Sequence, residues 1–184
     1  MKLRSTMDRS LSKRVVVAES FAEQGLAILR QAGITVDSMV GRPRDDLKAS
    51  LSTADGLIVR SETRVDSDLL AAGPRLTVVA RAGVGVDSID VAAATAAGVV
   101  VLNTPAANTV SAAEQTFGLM LSLARHIPQA VQSLREGRWD RLKLVGTELA
   151  GKTLGIVGMG RVGGNVATRA RAFGMTEEIG RAHV

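Results

Sequence analysis

Three closely spaced glycines, Gly158, Gly160 and Gly163, constrain the fold of this chain more than any other feature. Residues 153–157 before them are apolar and β-branched and predict a buried strand, whereas residues 161–173 after them predict a helix. In such a unit the first glycine allows a tight turn, the second lets a diphosphate approach the backbone, and the third lets the helix pack closely on the strand. Because the helix also directs its free N–H groups at the diphosphate, the pattern predicts a dinucleotide-binding turn.

A complete dinucleotide site needs an acidic residue about 20 positions further on, at the end of the next strand. After Met175 the sequence has no second apolar run, and Glu177 and Glu178 come too early, so we predict that no strand follows. The last residues, IGRAHV, would be encoded by the start of a common sequencing adapter. We therefore interpret residues 106–175 as the incomplete start of a cofactor domain and residues 176–184 as a non-native tail, with a natural terminus as the alternative.

The composition excludes several kinds of site. The chain has no cysteine, which rules out disulfides, thiolate metal sites and a cysteine nucleophile, and which suits a reducing cytosol. No apolar run reaches the roughly 18 residues of a membrane span, and the N-terminus lacks the apolar segment of a secretory signal. We expect a cytoplasmic protein with no metal site and no membrane partner.

The net charge of +5 comes mostly from the N-terminal segment. This segment has one acidic residue, Asp8, against five basic ones: Lys2, Arg4, Arg9, Lys13 and Arg14. Three phenylalanines, one tryptophan and no tyrosine offer no platform on which bases could stack. We expect no nucleic-acid partner, and we interpret residues 1–13 as a disordered leader.

Between residues 14 and 105 short apolar runs alternate with segments of helical spacing. The predicted strands are 14–18, 34–40, 56–59, 76–80 and 99–102. The predicted helices are 21–32, 43–51, 66–72 and 91–97. This alternation predicts an α/β domain with a parallel sheet and helices on both faces.

A long helical stretch, residues 109–137, then breaks the alternation, and we expect it to bend or break at Pro128. Thr109 or Ser111 is the predicted N-cap, with Glu114 as the second half of a capping box. The stretch is too long for another crossover in a small sheet. We interpret it as the connection into a second domain, whose first strand is residues 153–157.

Three other features invite functional interpretations that we do not favour. Residues 146–153 match the phosphate-binding pattern GxxxxGK[ST], but Lys152 and Thr153 lead into a strand, whereas a working P-loop opens a helix. His126 has no partner that the sequence fixes, so we expect a structural or surface role. Trp139 is expected to be a packing or interface anchor.

Arg60 and Arg81 each come at the end of a predicted strand. Ligands of open parallel sheets bind at the carboxyl ends of the strands, so the two side chains could clamp an anionic substrate. Gly83 and Gly85 would let backbone N–H groups face a carboxylate or phosphate. The spacing alone equally allows an alternative without a ligand, in which the two arginines are simply solvated and the glycines form an ordinary turn.

Several motifs in one order resemble the D-2-hydroxyacid dehydrogenase family, from about Arg14 to Met175. They are VRSETRV from Val59, VVARAGVGVDSIDVAAATAAGVVVLNTPAANTVSAAE from Val78, LARHIPQA from Leu123, GRWDR from Gly137, GTELAGKTLGIVGMGRVG from Gly146 and RAFGM from Arg171. The resemblance implies an α/β chain with a parallel, flavodoxin-like substrate domain and a long connecting helix. The first βα unit of a truncated Rossmann NAD-binding domain would follow.

The resemblance also implies the site residues. Substrate contacts are expected from Arg60, Ser61, Arg81, Ala82 and Gly83. Cofactor contacts are expected from Val84, near the nicotinamide, and from Gly158, Gly160, Arg161, Val162 and Gly163, around the diphosphate. The catalytic Arg, Glu and His of the family belong to later segments, so we expect no catalytic residue here and no activity of this chain alone.

The implied cofactor is NAD, and the implied substrate is a small anion, 3-phosphoglycerate in the branch that the motifs resemble most. Homo-oligomerisation through the second domain, with the long helix and the GRWDR segment, is also implied. Two alternatives stay open. One is a relative acting on glyoxylate, lactate or formate, and the other is a non-catalytic, NAD-sensing interaction module.

Overall fold

The computed structural model describes residues 12–180. The chain divides into two compact units, one up to Pro105 and one from Ala106 onward. The predicted leader falls mostly, and the end of the predicted tail entirely, outside the described residues. None of the helices within residues 12–180 is long and apolar enough to cross a membrane.

The first unit is a parallel five-stranded sheet with four helices. Its strands are β1 (Arg14–Val17), β2 (Thr35–Ser38), β3 (Gly56–Val59), β4 (Val78–Arg81) and β5 (Val100–Asn103). Its helices are α1 (Glu23–Gln31), α2 (Arg44–Leu51), α3 (Ser67–Ala71) and α4 (Val91–Ala96). The strand order is β2-β1-β3-β4-β5, and all neighbours are parallel. The predicted flavodoxin-like domain is confirmed.

The core of this unit forms where the central strands meet the helices. Leu57 of β3 lies opposite Val16 of β1 and Val79 of β4, and all three side chains are buried. Leu51 of α2 and Leu69 of α3 are buried in the same cluster. Because central parallel strands are covered on both faces, continuous apolar runs such as GLIV are what this position requires.

The strand order places a crevice at the carboxyl ends of β1 and β3. The chain leaves β1 toward β2 on one side, and it continues from β3 toward β4 on the other. Connections that diverge in this way leave a gap where ligands of open α/β sheets bind. The loops that follow these two strands, residues 18–22 and 60–66, therefore border the crevice.

The second unit consists of three helices, a short 3-10 turn and a two-stranded sheet. These are α5 (Thr109–Ala124), α6 (Ile127–Arg135), the 3-10 turn Arg141–Leu144, β6 (Thr153–Val157), α7 (Arg161–Ala172) and β7 (Thr176–Gly180). The ring of Phe117 stacks on Phe173 with centroids 5.1 Å apart, and Ile156, Ala170 and Met175 are buried in the same cluster. This cluster holds α7 against both α5 and β6.

The predicted break in the long helix is confirmed, but the predicted cap is wrong. The helix stops at Ala124 and resumes at Ile127, because His126 adopts a left-handed conformation with φ of 53° just before Pro128. The N-cap of α5 is Asn108, whose side chain makes no capping hydrogen bond. The side chain of Glu114 instead lies 3.6 Å from the guanidinium of Arg169 on α7.

The prediction that no strand follows Met175 is also wrong. Residues 176–180 form β7, which pairs in parallel register with β6 along its whole length. The strand has few apolar side chains, and of its five residues only Glu177 is partly buried, beside Arg171 at 2.9 Å. Backbone pairing and the burial of Met175 therefore stabilise β7, and neither leaves a clear signal in the sequence. The interpretation of residues 176–184 as a non-native tail stays a prediction.

Candidate functional site

Arg60 and Ser61 lie at the crevice, immediately after β3, and both are exposed. With Ser20 and Gly41 they help to line a cleft of about 230 Å³. The Arg60 guanidinium donates a hydrogen bond to the Ser20 carbonyl at 3.2 Å. A guanidinium has five N–H donors, and this contact uses one of them. The side chain is therefore anchored beside the cleft and keeps donors for an anion.

Glu19, which the sequence analysis did not single out, lies under this loop and is only 8% exposed. Its Oε1 accepts hydrogen bonds from the backbone N–H groups of Arg60 at 2.8 Å and Thr63 at 3.0 Å. Its Oε2 accepts from Ser61 at 3.0 Å and Glu62 at 3.1 Å. One carboxylate thus fixes four successive residues of the loop.

These hydrogen bonds control the ionisation of Glu19. Burial alone would raise the pKa of the carboxyl, because it disfavours the charged form. Hydrogen bonds from the backbone of Arg60, Thr63 and Glu62 outweigh burial and lower the pKa of Glu19 to about 2. The carboxylate therefore remains charged throughout the physiological pH range.

Arg81, the last residue of β4, lies close to Arg60, and its side chain makes hydrogen bonds within the protein. Its Nε donates to the Arg60 carbonyl at 2.8 Å, and its Nη1 pairs with Asp87 Oδ1 at 2.7 Å. The side chain is only 10% exposed. The hydrogen bond from Arg81 holds the pKa of Asp87 below its usual range. The structure thus brings the two arginines together, but the charge of Arg81 is already paired with Asp87.

The segment after Arg81 is held against the neighbouring strands. The N–H of Ala82 donates to the Val59 carbonyl, and the carbonyl of Gly83 accepts from the N–H of Thr104, both at 2.9 Å. The Asn103 amide donates to the Val84 carbonyl at 2.7 Å, while the Val84 side chain is 45% exposed. Ala82, Gly83 and Val84 are therefore fixed at the same carboxyl edge as Arg60.

The glycines of the predicted diphosphate turn differ in backbone conformation and in the space around them. Gly158 has φ of +96°, a conformation that favours glycine. A Cβ on Gly163 would lie 2.2 Å from the Gly158 carbonyl oxygen, so helix and turn touch here without a side chain between them. A Cβ on Gly160, in contrast, would meet no atom within 4 Å. The space beside Gly160 fits the close approach of a diphosphate.

The helix α7 starts directly after this turn, with Gly160 as its N-cap. Arg161 is exposed at its first position, and Val162 is half-buried against the core of the second unit. The free N–H groups of the first helical turn and the positive end of the helix dipole therefore lie at the Gly160 end of α7.

Three further sequence features, the GxxxxGK[ST] match, His126 and Trp139, lie outside the two ligand-binding regions. Thr153 begins β6, so the GxxxxGK[ST] match opens a strand, as predicted, and not a helix. His126 occupies the left-handed position between α5 and α6. Trp139 is 79% exposed, so it does not pack inside its own unit, and its role as an interface anchor stays a prediction.

Comparison with known proteins supports the family resemblance that the sequence motifs indicate. The family model described as "D-isomer specific 2-hydroxyacid dehydrogenase, catalytic domain" matches residues 15–182. The chain is 47% identical over 163 residues to human D-3-phosphoglycerate dehydrogenase, and 48% identical over 166 residues to the enzyme of that name from Bacillus subtilis. These alignments cover 89% and 90% of this chain, which spans only 31% of the length of either relative.

Solved structures show the same similarity. The TT0316 protein from Thermus thermophilus has a TM-score of 0.86 and 36% identity, with 93% of this chain and 57% of that chain covered. The NAD⁺-bound 3-phosphoglycerate dehydrogenase of Entamoeba histolytica has a TM-score of 0.73 and 31% identity, with 94% and 55% covered. The sequence motifs, the strand order and the family match agree. The chain therefore belongs to the D-isomer specific 2-hydroxyacid dehydrogenase family.

Proposed function

We propose that this chain is part of an NAD-dependent D-3-phosphoglycerate dehydrogenase. The observation that best supports the proposal is the fixed pair of Arg60 and Ser61 at the crevice of the sheet. The curated relatives quoted above, at 47% and 48% identity, bear that enzyme name. The proposed reaction is oxidation of 3-phosphoglycerate at its C2 hydroxyl to 3-phosphohydroxypyruvate, the first step of the phosphorylated route to serine.

The substrate would bind to the first unit. 3-Phosphoglycerate has a carboxylate and a phosphate, and a guanidinium can bind either group with two parallel hydrogen bonds. Arg60 supplies such a group beside the cleft, and the Ser61 hydroxyl can donate a further hydrogen bond. Ala82 and Gly83 would add backbone contacts to the substrate. Arg81 would support the site by its hydrogen bond to the carbonyl of Arg60.

We propose cofactor contacts in each unit, considered separately: at the glycine turn of the second unit and at Val84 of the first. Gly158, Gly160 and Gly163, with Arg161 and Val162 at the start of α7, would hold the diphosphate. Val84 would contact the nicotinamide with its exposed side chain. NAD would supply the hydride acceptor, and the protein supplies binding and orientation.

We propose that the 184-residue chain binds without turnover. The residues assigned above make substrate and cofactor contacts, and the family's catalytic Arg, Glu and His are expected in later segments. The full-length protein would add these groups, with a His–Glu pair that accepts the hydroxyl proton and an Arg that polarises the developing carbonyl.

We also propose that the full-length protein is a homo-oligomer. On the second unit, large apolar side chains are exposed near the 3-10 turn: Trp139 is 79% exposed, Leu142 81% and Val145 74%. Exposed apolar groups of this size are typical of protein interfaces. Replacing Trp139 and Leu142 with serine should shift the full-length protein toward monomer in light scattering. An unchanged mass would contradict this assignment.

Calorimetric titration with 3-phosphoglycerate tests the substrate assignment. Arg60→Ala should weaken binding at least about tenfold, because a charge-assisted hydrogen bond contributes roughly 1.5–3 kcal/mol. Arg30→Ala is the matched control, since Arg30 is a half-exposed arginine of α1 paired with Glu23. Equal affinity for D-lactate, or equal binding by both variants, would contradict the proposal.

A further inference from the structure

We infer that Glu19 is the positioning residue of the substrate loop, residues 60–63, and that its carboxylate occupies the backbone anion site of that loop. An external anion must then be bound by the side chains of Arg60 and Ser61 and not by the loop's N–H groups. The inference rests on the proposed function for the role of these side chains, but its structural part can be tested without a substrate.

The backbone N–H groups of the loop all donate hydrogen bonds to Glu19. Successive N–H groups that converge on one point form a concave site that favours an anion. Here the N–H groups of residues 60–63 converge on Glu19, and each carboxylate oxygen accepts two of them. A carboxylate has about four acceptor positions, so donors and acceptors are matched one to one. Glu19, from the segment after β1, therefore supplies the anion for the N–H groups of this loop.

Three hydrogen bonds fix the position of Arg60. Its N–H donates to Glu19, its carbonyl accepts from Arg81, and its guanidinium donates to the carbonyl of Ser20. Glu19 and Ser20 are adjacent, so one short segment after β1 positions both the main chain and the side chain of Arg60. Loss of the Glu19 contacts should consequently release the group that is proposed to bind the substrate.

The chain offers a matched control at the opposite end of the same strand. Asp55 precedes β3 as Arg60 follows it, and it is 7% exposed. Asp55 accepts from the N–H of Arg14 at 2.9 Å and pairs with Arg75 and Lys13. Replacing either carboxylate should cost stability, but only the Glu19 change should affect the loop.

The first test compares Glu19→Gln with Asp55→Asn in the 184-residue chain. An amide keeps one acceptor oxygen and turns an NH₂ group toward the loop, so at least one N–H loses its partner. In Glu19→Gln the amides of residues 60–63 should exchange with deuterium at least about tenfold faster, and 3-phosphoglycerate should bind about tenfold more weakly. In Asp55→Asn the amide exchange rates of residues 60–63 and the affinity for 3-phosphoglycerate should match those of the wild type. Should Glu19→Gln fail to fold, Glu19→Asp, with its carboxylate one methylene shorter, serves in its place.

The second test is rescue by acetate. Glu19→Ala leaves the converging N–H groups without an acceptor, and acetate has the missing carboxylate. Millimolar acetate should restore slow amide exchange of residues 60–63 in this variant and should change nothing in the wild type. Absence of rescue in a folded Glu19→Ala protein would show that the loop does not form an anion site.

The outcomes separate this inference from the proposed function. Unchanged amide exchange in Glu19→Gln overturns the inference whether or not the substrate binds. Faster exchange with undiminished affinity, while Arg60→Ala loses binding, overturns the positioning role and leaves the proposed function standing. If the wild type does not bind 3-phosphoglycerate, the proposed function fails, and the exchange and acetate results decide whether Glu19 occupies the anion site.

Discussion

At the scale of single residues, Glu19 should make the chain sensitive to acid. Its folded pKa of about 2 lies below the ordinary value of 4.5, so its contribution to stability is fully present above pH 4.5. That contribution is lost as the pH falls toward 2. The shift corresponds to at most about 3 kcal/mol. Urea unfolding measures the free energy of unfolding of the wild type and of Glu19→Gln. The difference between the two free energies should narrow as the pH falls from 5 to 2, the range between the ordinary and the folded pKa of Glu19.

Other acidic residues act in the same pH range, so the comparison of the two proteins matters more than either curve alone. The pKa of Asp55 is also lowered, chiefly by the hydrogen bond from the N–H of Arg14. Both proteins retain Asp55, and its effect cancels in the difference. A difference that stays constant with pH would show that Glu19 is not held as a buried carboxylate.

The glycines of the diphosphate turn give a prediction with an internal control. Gly163→Ala should destabilise the chain by roughly 2–4 kcal/mol, because the added methyl group would overlap the Gly158 carbonyl. Gly160→Ala should leave stability nearly unchanged, because the site is open and φ is −78°, but it should weaken NADH binding. Gly164→Ala, in the same helix and with open space, should preserve both. Melting curves and NADH fluorescence titration measure the two effects.

A Gly160→Ala protein that binds NADH normally would contradict the assignment of the diphosphate site. A Gly163→Ala protein with wild-type stability would contradict the close contact between α7 and the turn. The three variants together thus distinguish a glycine required by packing from a glycine required by a ligand.

At the scale of elements, the sequence was most informative where an element buries its own side chains. β3 is a continuous apolar run, and its position was predicted to the residue. β7 was missed because its stability comes from pairing with β6 and from the neighbouring Met175. The N-cap of α5 was assigned to Thr109 or Ser111 because both can cap, but the buried Thr109 already belongs to the helix.

The two sheets should differ in local stability. β4 is paired on both sides, by β3 and β5, whereas β6 has β7 as its one partner in the described part of the chain. Val157 at the end of β6 is 77% exposed. Two-stranded sheets are marginal without further packing, so the amides of Ile156 and Val157 should exchange at least about tenfold faster than those of Val78 and Val79. Equal protection in a hydrogen exchange experiment would contradict this.

At the scale of the whole molecule, local motifs predicted the two ligand-binding regions but not the contacts that build them. Arg60 and Gly158–Gly163 stood out because each follows an apolar strand. Glu19 did not, because its partners lie more than 40 positions away in the sequence. Its one signal is an acidic residue just beyond a buried strand. The pairing of Arg81 with Asp87 was likewise not visible before the loop geometry was known.

The proposed function depends above all on the binding of 3-phosphoglycerate by Arg60 and its neighbours at the carboxyl edge of the first sheet. A titration of the ¹⁵N-labelled chain with this compound tests it most directly, because nuclear magnetic resonance reports the location of binding. We expect the largest chemical-shift changes at the Arg60 side chain and at the amides of Ser61, Ala82 and Gly83, and we expect these changes to be lost in Arg60→Ala. Absence of shifts, or shifts confined to the surface around Trp139, would contradict it.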